Sequence, residues 1–276
     1  MKLDRGLTIG RMAELGRVSR AGFYRFNTGC RPRPDSDMEL RDAIQRIALE
    51  WPSYGRPRIT AELRRRGRKI NPKRVYRLMR EDNLLCVRKR RFVVTTDSAH
   101  RRKVYPNLAR QMVITFIDQL WVADITYIET HEGWLYLAGI LDLYSRKIVG
   151  WAMSEHIDTS LVLKALAMAV LHRRPTANLL IHSDRGVQYA SADYRQALSQ
   201  AGLVASMSRK ANCYDNATME SFWSTLKLEL VYRRDFATRS QARTEIFDYI
   251  ESFYNRQRAH SALSYHSPVD FENQNN

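Results

Sequence analysis

The chain has 276 residues and a mass of 32.3 kDa, and its 44% hydrophobic content supplies a packed core and excludes wholesale disorder. Its longest stretch without a charge, Gln196–Ser208, is thirteen residues broken by Gln and Ser, too short to span a membrane. Lys and Arg number 45 against 29 Asp and Glu, a net +16, and that excess is confined to one end. Residues 1–110 hold 29 basic and 11 acidic side chains (+18), leaving 16 basic and 18 acidic (−2) for residues 111–276. Such asymmetry points to a polyanion partner for the front part. Arg outnumbers Lys 36 to 9, which suits bidentate phosphate and guanine contacts, although a GC-rich genome gives the same bias. Cys30, Cys86 and Cys213 form no CxxC pair, which fits a reducing cytoplasm and argues against a disulfide framework or a cysteine-rich zinc site.

The front part reads as helical. Short helices are expected at about Thr8–Leu15 and Ser19–Phe26. Asp37–Trp51 carries Leu40, Ile44, Ile47, Ala48 and Trp51 as an apolar stripe, and Pro52 ends it. Ile59–Arg66 follows, with Gly67 as its C-cap. Asn71-Pro72 then supplies an N-cap and a first-turn proline for a helix to about Asp82, with Val75, Leu78 and Met79 inward and Arg74, Arg77 and Arg80 elsewhere. Two short helices around a glycine turn, the second rich in arginine, predict a helix-turn-helix; the bland alternative is a helical bundle with a solvated basic surface. Arg88-Lys89-Arg90-Arg91 and Arg101-Arg102-Lys103 lie in a stretch of weak periodicity, read as a basic linker over 88–112 that can follow a phosphate backbone. The expected domains are therefore 1–87, helical and DNA-binding; 88–112, linker; and 113–276, α/β.

The back part changes period. Strands are expected at Leu120–Thr130, Trp134–Asp142 and Ile148–Ser154, then helix Thr159–His172, strand Leu179–Ser183, helix Ala192–Ala201 and strand Val204–Ser208. A last helical stretch runs from near Asp215, with a break, to about Arg258. This is the element order of a ribonuclease-H-like domain, a mixed five-stranded sheet flanked by helices. Asp124 falls inside the first strand, Asp184 just beyond the fourth, and Glu220 on the helix Asn216–Leu230. Acids so placed can meet at one rim of the sheet, the arrangement that two divalent cations need for phosphodiester chemistry. Singly, each acid has a structural explanation: an arginine partner, a turn before Arg185-Gly186, a solvent-facing glutamate. Asp215 is expected to cap its helix, and Asp142 to support the site. His131-Glu132 starts like a zinc-protease motif, but Leu135 stands where the second histidine is needed. No Walker loop and no GxGxxG is present.

Thirty-five residues separate Asp184 from Glu220, and Lys227 follows the glutamate by seven. On a helix, seven residues return to within about 20° of the same direction, roughly 10 Å further along. The strings Trp121-Val122-Ala123-Asp124-Ile125-Thr126-Tyr127, His182-Ser183-Asp184-Arg185-Gly186 and Asp215-Asn216-Ala217-Thr218-Met219-Glu220-Ser221-Phe222, with the tail Tyr254-Asn255-Arg256-Gln257-Arg258-Ala259-His260 and Ser267-Pro268, closely resemble the retroviral-integrase-like DDE transposases of bacterial insertion sequences. Within these, the chain is similar to the downstream-frame product of the IS-three family, over about residues 8 to 272. Tyr54-Gly55-Arg56-Pro57-Arg58-Ile59 resembles that family's helix-turn-helix region.

The resemblance implies that Asp124, Asp184 and Glu220 are catalytic and bind two Mg²⁺ or Mn²⁺ ions. It further implies double-stranded DNA as partner, both the element's ends and a target, and a homo-oligomer on that DNA. An upstream reading frame is a further expected partner, since the family usually supplies another helix-turn-helix and a leucine zipper from one. The expected location is the bacterial cytoplasm, at the nucleoid, with no membrane contact. Lys227 is expected to meet phosphates entering the site; Arg74, Arg77, Arg80 and Arg88, Lys89, Arg90 and Arg91 are the other expected DNA contacts. Two alternatives stay open: a DNA-binding repressor with an inactive nuclease-like domain, and a structure-selective nuclease.

Overall fold

Residues 8–27, 37–85, 105–109, 112–208 and 217–275 are described by a computed structural model of the chain. The front part is all helix: α1 (Ile9–Leu15), α2 (Arg20–Asn27), α3 (Met38–Glu50), α4 (Arg56–Arg65) and α5 (Pro72–Glu81). Helix α4 starts three residues earlier than its apolar pattern suggests, because Pro57 sits in the first turn, where a missing N–H costs nothing. Gly67 takes φ +81°, the left-handed turn between α4 and α5. Asn71 then caps α5, its side chain accepting from the Lys73 N–H at 2.9 Å. Leu40, Ile44 and Ile47 of α3 close one core with Ile59 and Leu63 of α4 and Val75, Leu78 and Met79 of α5. A helix-turn-helix is thus formed where the caps predicted it.

The back part is built on strands β1 (Leu120–Thr130), β2 (Gly133–Asp142), β3 (Ile148–Ser154), β4 (Leu180–Ser183) and β5 (Val204–Met207). They form one mixed sheet in the order β3-β2-β1-β4-β5, antiparallel through β1–β3 and parallel from β1 to β4 and β5. Because strand side chains alternate, β1 serves two cores. Trp121 and Ala123 face α6 (Thr159–Arg173) and α7 (Ala192–Gln200). Val122 and Ile128 face α8 (Ala217–Glu229) and α9 (Arg239–Asp248).

Glycine permits the close approach on each face. A Cβ on Gly150 would lie 2.4 Å from the Ala165 carbonyl oxygen of α6, and one on Gly139 would lie 2.9 Å from the Trp223 ring of α8. Within the expected linker, Tyr105–Ala109 lies along β5, with the Leu108 N–H donating to Ser206 Oγ at 3.0 Å.

Beyond α9 the chain continues as a π-turn, Tyr249–Tyr254, and ends in α10 (Pro268–Asn275). Helix α10 was not expected: it buries only Pro268 and Glu272 and so has no apolar stripe to read. It is held by one ring contact, Phe271 on Tyr144 with centroids 5.4 Å apart, and by charge. Glu272 accepts from Lys147 at 2.8 Å and from Arg173 at 2.9 Å.

Candidate active site

The register of the sheet brings two of the three acids together. Ala123 of β1 pairs with Ser183 of β4 in parallel, so Asp124 and Asp184 follow side by side. Asp124 lies on the α8 face of β1, opposite Gly139 of β2. The absent side chain at Gly139 lets the Trp223 indole through, and its Nε1–H donates to Asp124 Oδ2 at 3.0 Å. Asp124 Oδ1 accepts from the Ile125 N–H at 2.9 Å, and Asp184 Oδ1 from the Gly186 N–H at 2.8 Å. Both carboxylates are thus oriented by donors that cannot themselves ionise.

Glu220 arrives from the first turn of α8, exposed, while Met219, Phe222, Trp223 and Leu226 bury the opposite face of that helix. Burial pushes the Asp124 carboxyl up to about 7; the neighbouring Asp184 charge and, more weakly, Glu220 add to it. Tyr189, buried in the loop after β4, has its phenol raised by burial and also feels both aspartates. Among the described residues, no three His, Cys, Asp or Glu side chains are gathered closely enough to hold a metal. The acids share a field rather than a finished cage.

Lys227 is half-buried, not solvated. Its ammonium sits 4.7 Å from the centre of the Tyr127 ring, burial lowers its pKa, and the Asp124 charge opposes that shift. Arg146, which the sequence did not single out, tethers the start of α8: its guanidinium donates to Thr218 Oγ1 at 2.7 Å, two residues before Glu220. The only available hint was its place in the tight Tyr144-Ser145-Arg146 turn.

Asp142 is fully buried, accepting from Asp118 N (2.7 Å), Ser145 N (2.7 Å) and Ser145 Oγ (2.9 Å), so it builds the β2–β3 turn. Arg74 and Arg77 do not simply project from α5. Arg74 Nε (2.7 Å) and Arg77 Nη2 (2.6 Å) donate to Asp37, ahead of α3, and hold its carboxyl below the usual range. Arg80 is exposed. Arg88, Lys89, Arg90 and Arg91, together with Asp215, lie outside the described residues.

Comparison with known proteins falls on these same parts. Residues 117–213 and 220–275 match models described as integrase core domain, and residues 35–92 one described as HTH-like domain. The class is therefore a DNA strand transferase with an integrase core. The chain is 46% identical over 264 residues to an insertion element IS600 31 kDa protein of Shigella sonnei, covering 94% of this chain and 97% of that one. It is 40% identical over 276 residues to transposase InsF of insertion sequence IS3A from Escherichia coli K12, covering 97% and 95%. Among solved structures, the catalytic core domain of BIV integrase is similar at TM-score 0.42 and 16% identity, over 57% of this chain and 95% of that one. The chain belongs to the IS3 family of insertion-sequence transposases. It is a DDE transposase, a polynucleotidyl transferase that cuts and joins DNA, of a family that uses divalent metal. No helix among the described residues is long and apolar enough to cross a membrane.

Proposed function

We propose that Asp124, Asp184 and Glu220 hold two Mg²⁺ or Mn²⁺ ions, and that this is where the element's ends are cut and joined. The observation that supports this most is the field at Asp124. Burial, the Asp184 charge and, more weakly, the Glu220 charge all disfavour its ionised form, so a divalent cation among these carboxylates would relieve a cost that the apoprotein cannot. Oxygen donors of this kind are the ones hard cations prefer. Held by these three carboxylates, divalent ions would supply Lewis-acid activation of a water or a 3′-hydroxyl and charge neutralisation at the leaving 3′-oxygen. The protein's own part is positional. Trp223 and the Ile125 N–H fix Asp124, the Gly186 N–H fixes Asp184, and Arg146 anchors the helix that presents Glu220. Lys227 meets the phosphates of the DNA end.

The division of labour follows the charge. Residues 1–87 bind DNA, 88–112 carry basic groups along it, and 113–276 perform the chemistry, as a homo-oligomer at the nucleoid. A protein from an upstream frame is a candidate partner for recognising the ends. The decisive experiment compares wild type with Glu220→Gln on labelled duplex carrying the terminal repeats that flank the gene, in Mn²⁺. Cleavage and joining should vanish while the band shift stays, because binding resides in the +18 front part. Substantial Mn²⁺-dependent cleavage by Glu220→Gln would overturn the triad.

A further inference from the structure

Two sequence strings have no role in the acid site: Tyr54–Ile59 in the helix-turn-helix region and Tyr254–His260 in the tail. In the folded chain they meet. The Tyr54 hydroxyl accepts from the Ala259 N–H at 3.0 Å, and Arg58 Nε donates to the Ala259 carbonyl at 3.2 Å. Ala259 is buried within the helix-turn-helix core, and the Trp51 ring stacks on Phe253 with centroids 6.5 Å apart.

Both strings also converge on one buried carboxylate, Glu229, the last residue of α8. Arg258 grips it with two parallel bonds, Nε to Oε2 and Nη2 to Oε1, each 2.8 Å. Tyr249 donates to Oε2 at 2.8 Å, and Arg58 Nη1 reaches Oε1 at 3.4 Å. The π-turn Tyr249–Tyr254 brings Tyr249 and Tyr254 to this point. His260 packs edge-on against Tyr254, and burial beside Arg258, Arg58 and Arg146 keeps it neutral, so it adds no third cation.

We propose that these two strings and Glu229 form a joint that couples the DNA-binding region to α8 and sets the position of Glu220 and Lys227. The reason is mechanical. Apolar contacts through Met219, Phe222, Trp223 and Leu226 hold α8 to the sheet but are non-directional, so on their own they permit small slides and rotations. Directional bonds stand at three points: Arg146 to Thr218 near the start, Trp223 to Asp124 midway, and the Arg58–Glu229–Arg258 clamp, which alone reaches the helix-turn-helix region, at the finish. Glu220 lies nine residues from the clamp, about 13 Å along the helix. A helix-turn-helix seated on DNA therefore acts, through Arg58, on the same rigid rod that presents the catalytic glutamate. Arg58 and Tyr54 are positioning residues and touch no reacting atom.

The inference rests on the acid-site reading above, so Glu220→Gln is carried alongside as a reference. The main variant is Arg58→Ala in the full chain, which leaves Arg258 and Glu229 matched one to one. Tyr54→Phe is a second, milder variant that removes only the acceptor for the Ala259 N–H. The assay is single-turnover end cleavage in Mn²⁺, with rate at saturating DNA separated from DNA affinity, on protein shown by circular dichroism to be folded at the assay temperature. We expect the saturated rate of Arg58→Ala to fall about ten- to a hundredfold, the range a misplacement of about 1 Å produces, with affinity within about twofold. Tyr54→Phe should fall in the same direction, and Glu229→Gln added to Arg58→Ala should cost less than the product of the two single effects. If Arg58 were a DNA contact, affinity would drop and the saturated rate would hold; that result overturns the joint. A wild-type rate in both Arg58→Ala and Tyr54→Phe, with Glu220→Gln inactive, also overturns it and leaves the acid site standing. Activity in Glu220→Gln would overturn the acid site first.

Discussion

Asp124 should destabilise the metal-free protein, and the size of that effect can be worked out. Its carboxyl ionises at about 7 in the fold against 3.8 for the unperturbed group. The native state therefore holds this proton more tightly than the unfolded chain across that window. Stability falls as pH rises from 3.8 to 7, and the full cost, about 4 kcal/mol, is present above 7. Asp124→Asn cannot ionise and removes the cost. It also loses an acceptor: one of the Ile125 N–H and Trp223 Nε1–H donors must then face an amide NH₂, at about 1–3 kcal/mol. At pH 8.5 in EDTA the variant should be the more stable protein by about 1–3 kcal/mol. At pH 5 the two proteins should lie within about 1–2 kcal/mol of each other, and the gap should move by about 2–3 kcal/mol between pH 5 and 8.5. Melting by calorimetry at constant ionic strength reads this directly, as a shift of several degrees that changes with pH. Adding Mg²⁺ should raise the wild-type Tm and leave the variant nearly unmoved. A Tm difference that is the same at pH 5 and 8.5, or that favours wild type more as pH rises, would refute the reasoning.

Gly139→Ala places a methyl 2.9 Å from the Trp223 ring and 2.6 Å from the flexible Met219 tip. Met219 can yield but the indole cannot, so α8 should shift outward and end cleavage fall at least about tenfold while circular dichroism stays native; full activity would show that α8 has slack. Lys227→Ala should keep the fold, losing about 0.5–1 kcal/mol of contact with Tyr127, and should need more DNA for half-maximal cleavage. A wild-type concentration curve would make Lys227 a surface residue. Replacing Arg74, Arg77 and Arg80 together by Ala should reduce the salt dependence of DNA binding by about one in slope per phosphate contact removed. It should also lower Tm, since Asp37 loses its ion pairs with Arg74 and Arg77; unchanged affinity and slope would make α5 a bundle element only.

Much of this molecule was legible in one dimension because its signals are local. Alternating apolar residues defined β1 to the residue, and Asn71-Pro72 defined the start of α5, since caps and periodicity act within a few positions. The acids stood out because Asp124 interrupts a buried strand and Glu220 sits seven residues before Lys227. Helix α10 was invisible, because ion pairs to Lys147 and Arg173, more than 95 residues distant in sequence, hold it in place of an apolar stripe. The arginines of α5 looked wholly available for DNA, and only folding brought Asp37 beside two of them. Lys227 could be placed on the right face by helical geometry, yet its seat on Tyr127 required β1 and α8 to be packed together. The same holds for the Tyr54 and Tyr254 strings, two hundred residues apart. Sequence determined which residues could form elements and carry charge. Tertiary structure decided which charges neutralise one another, because an ion pair depends on distance through space and leaves no periodic trace along the chain.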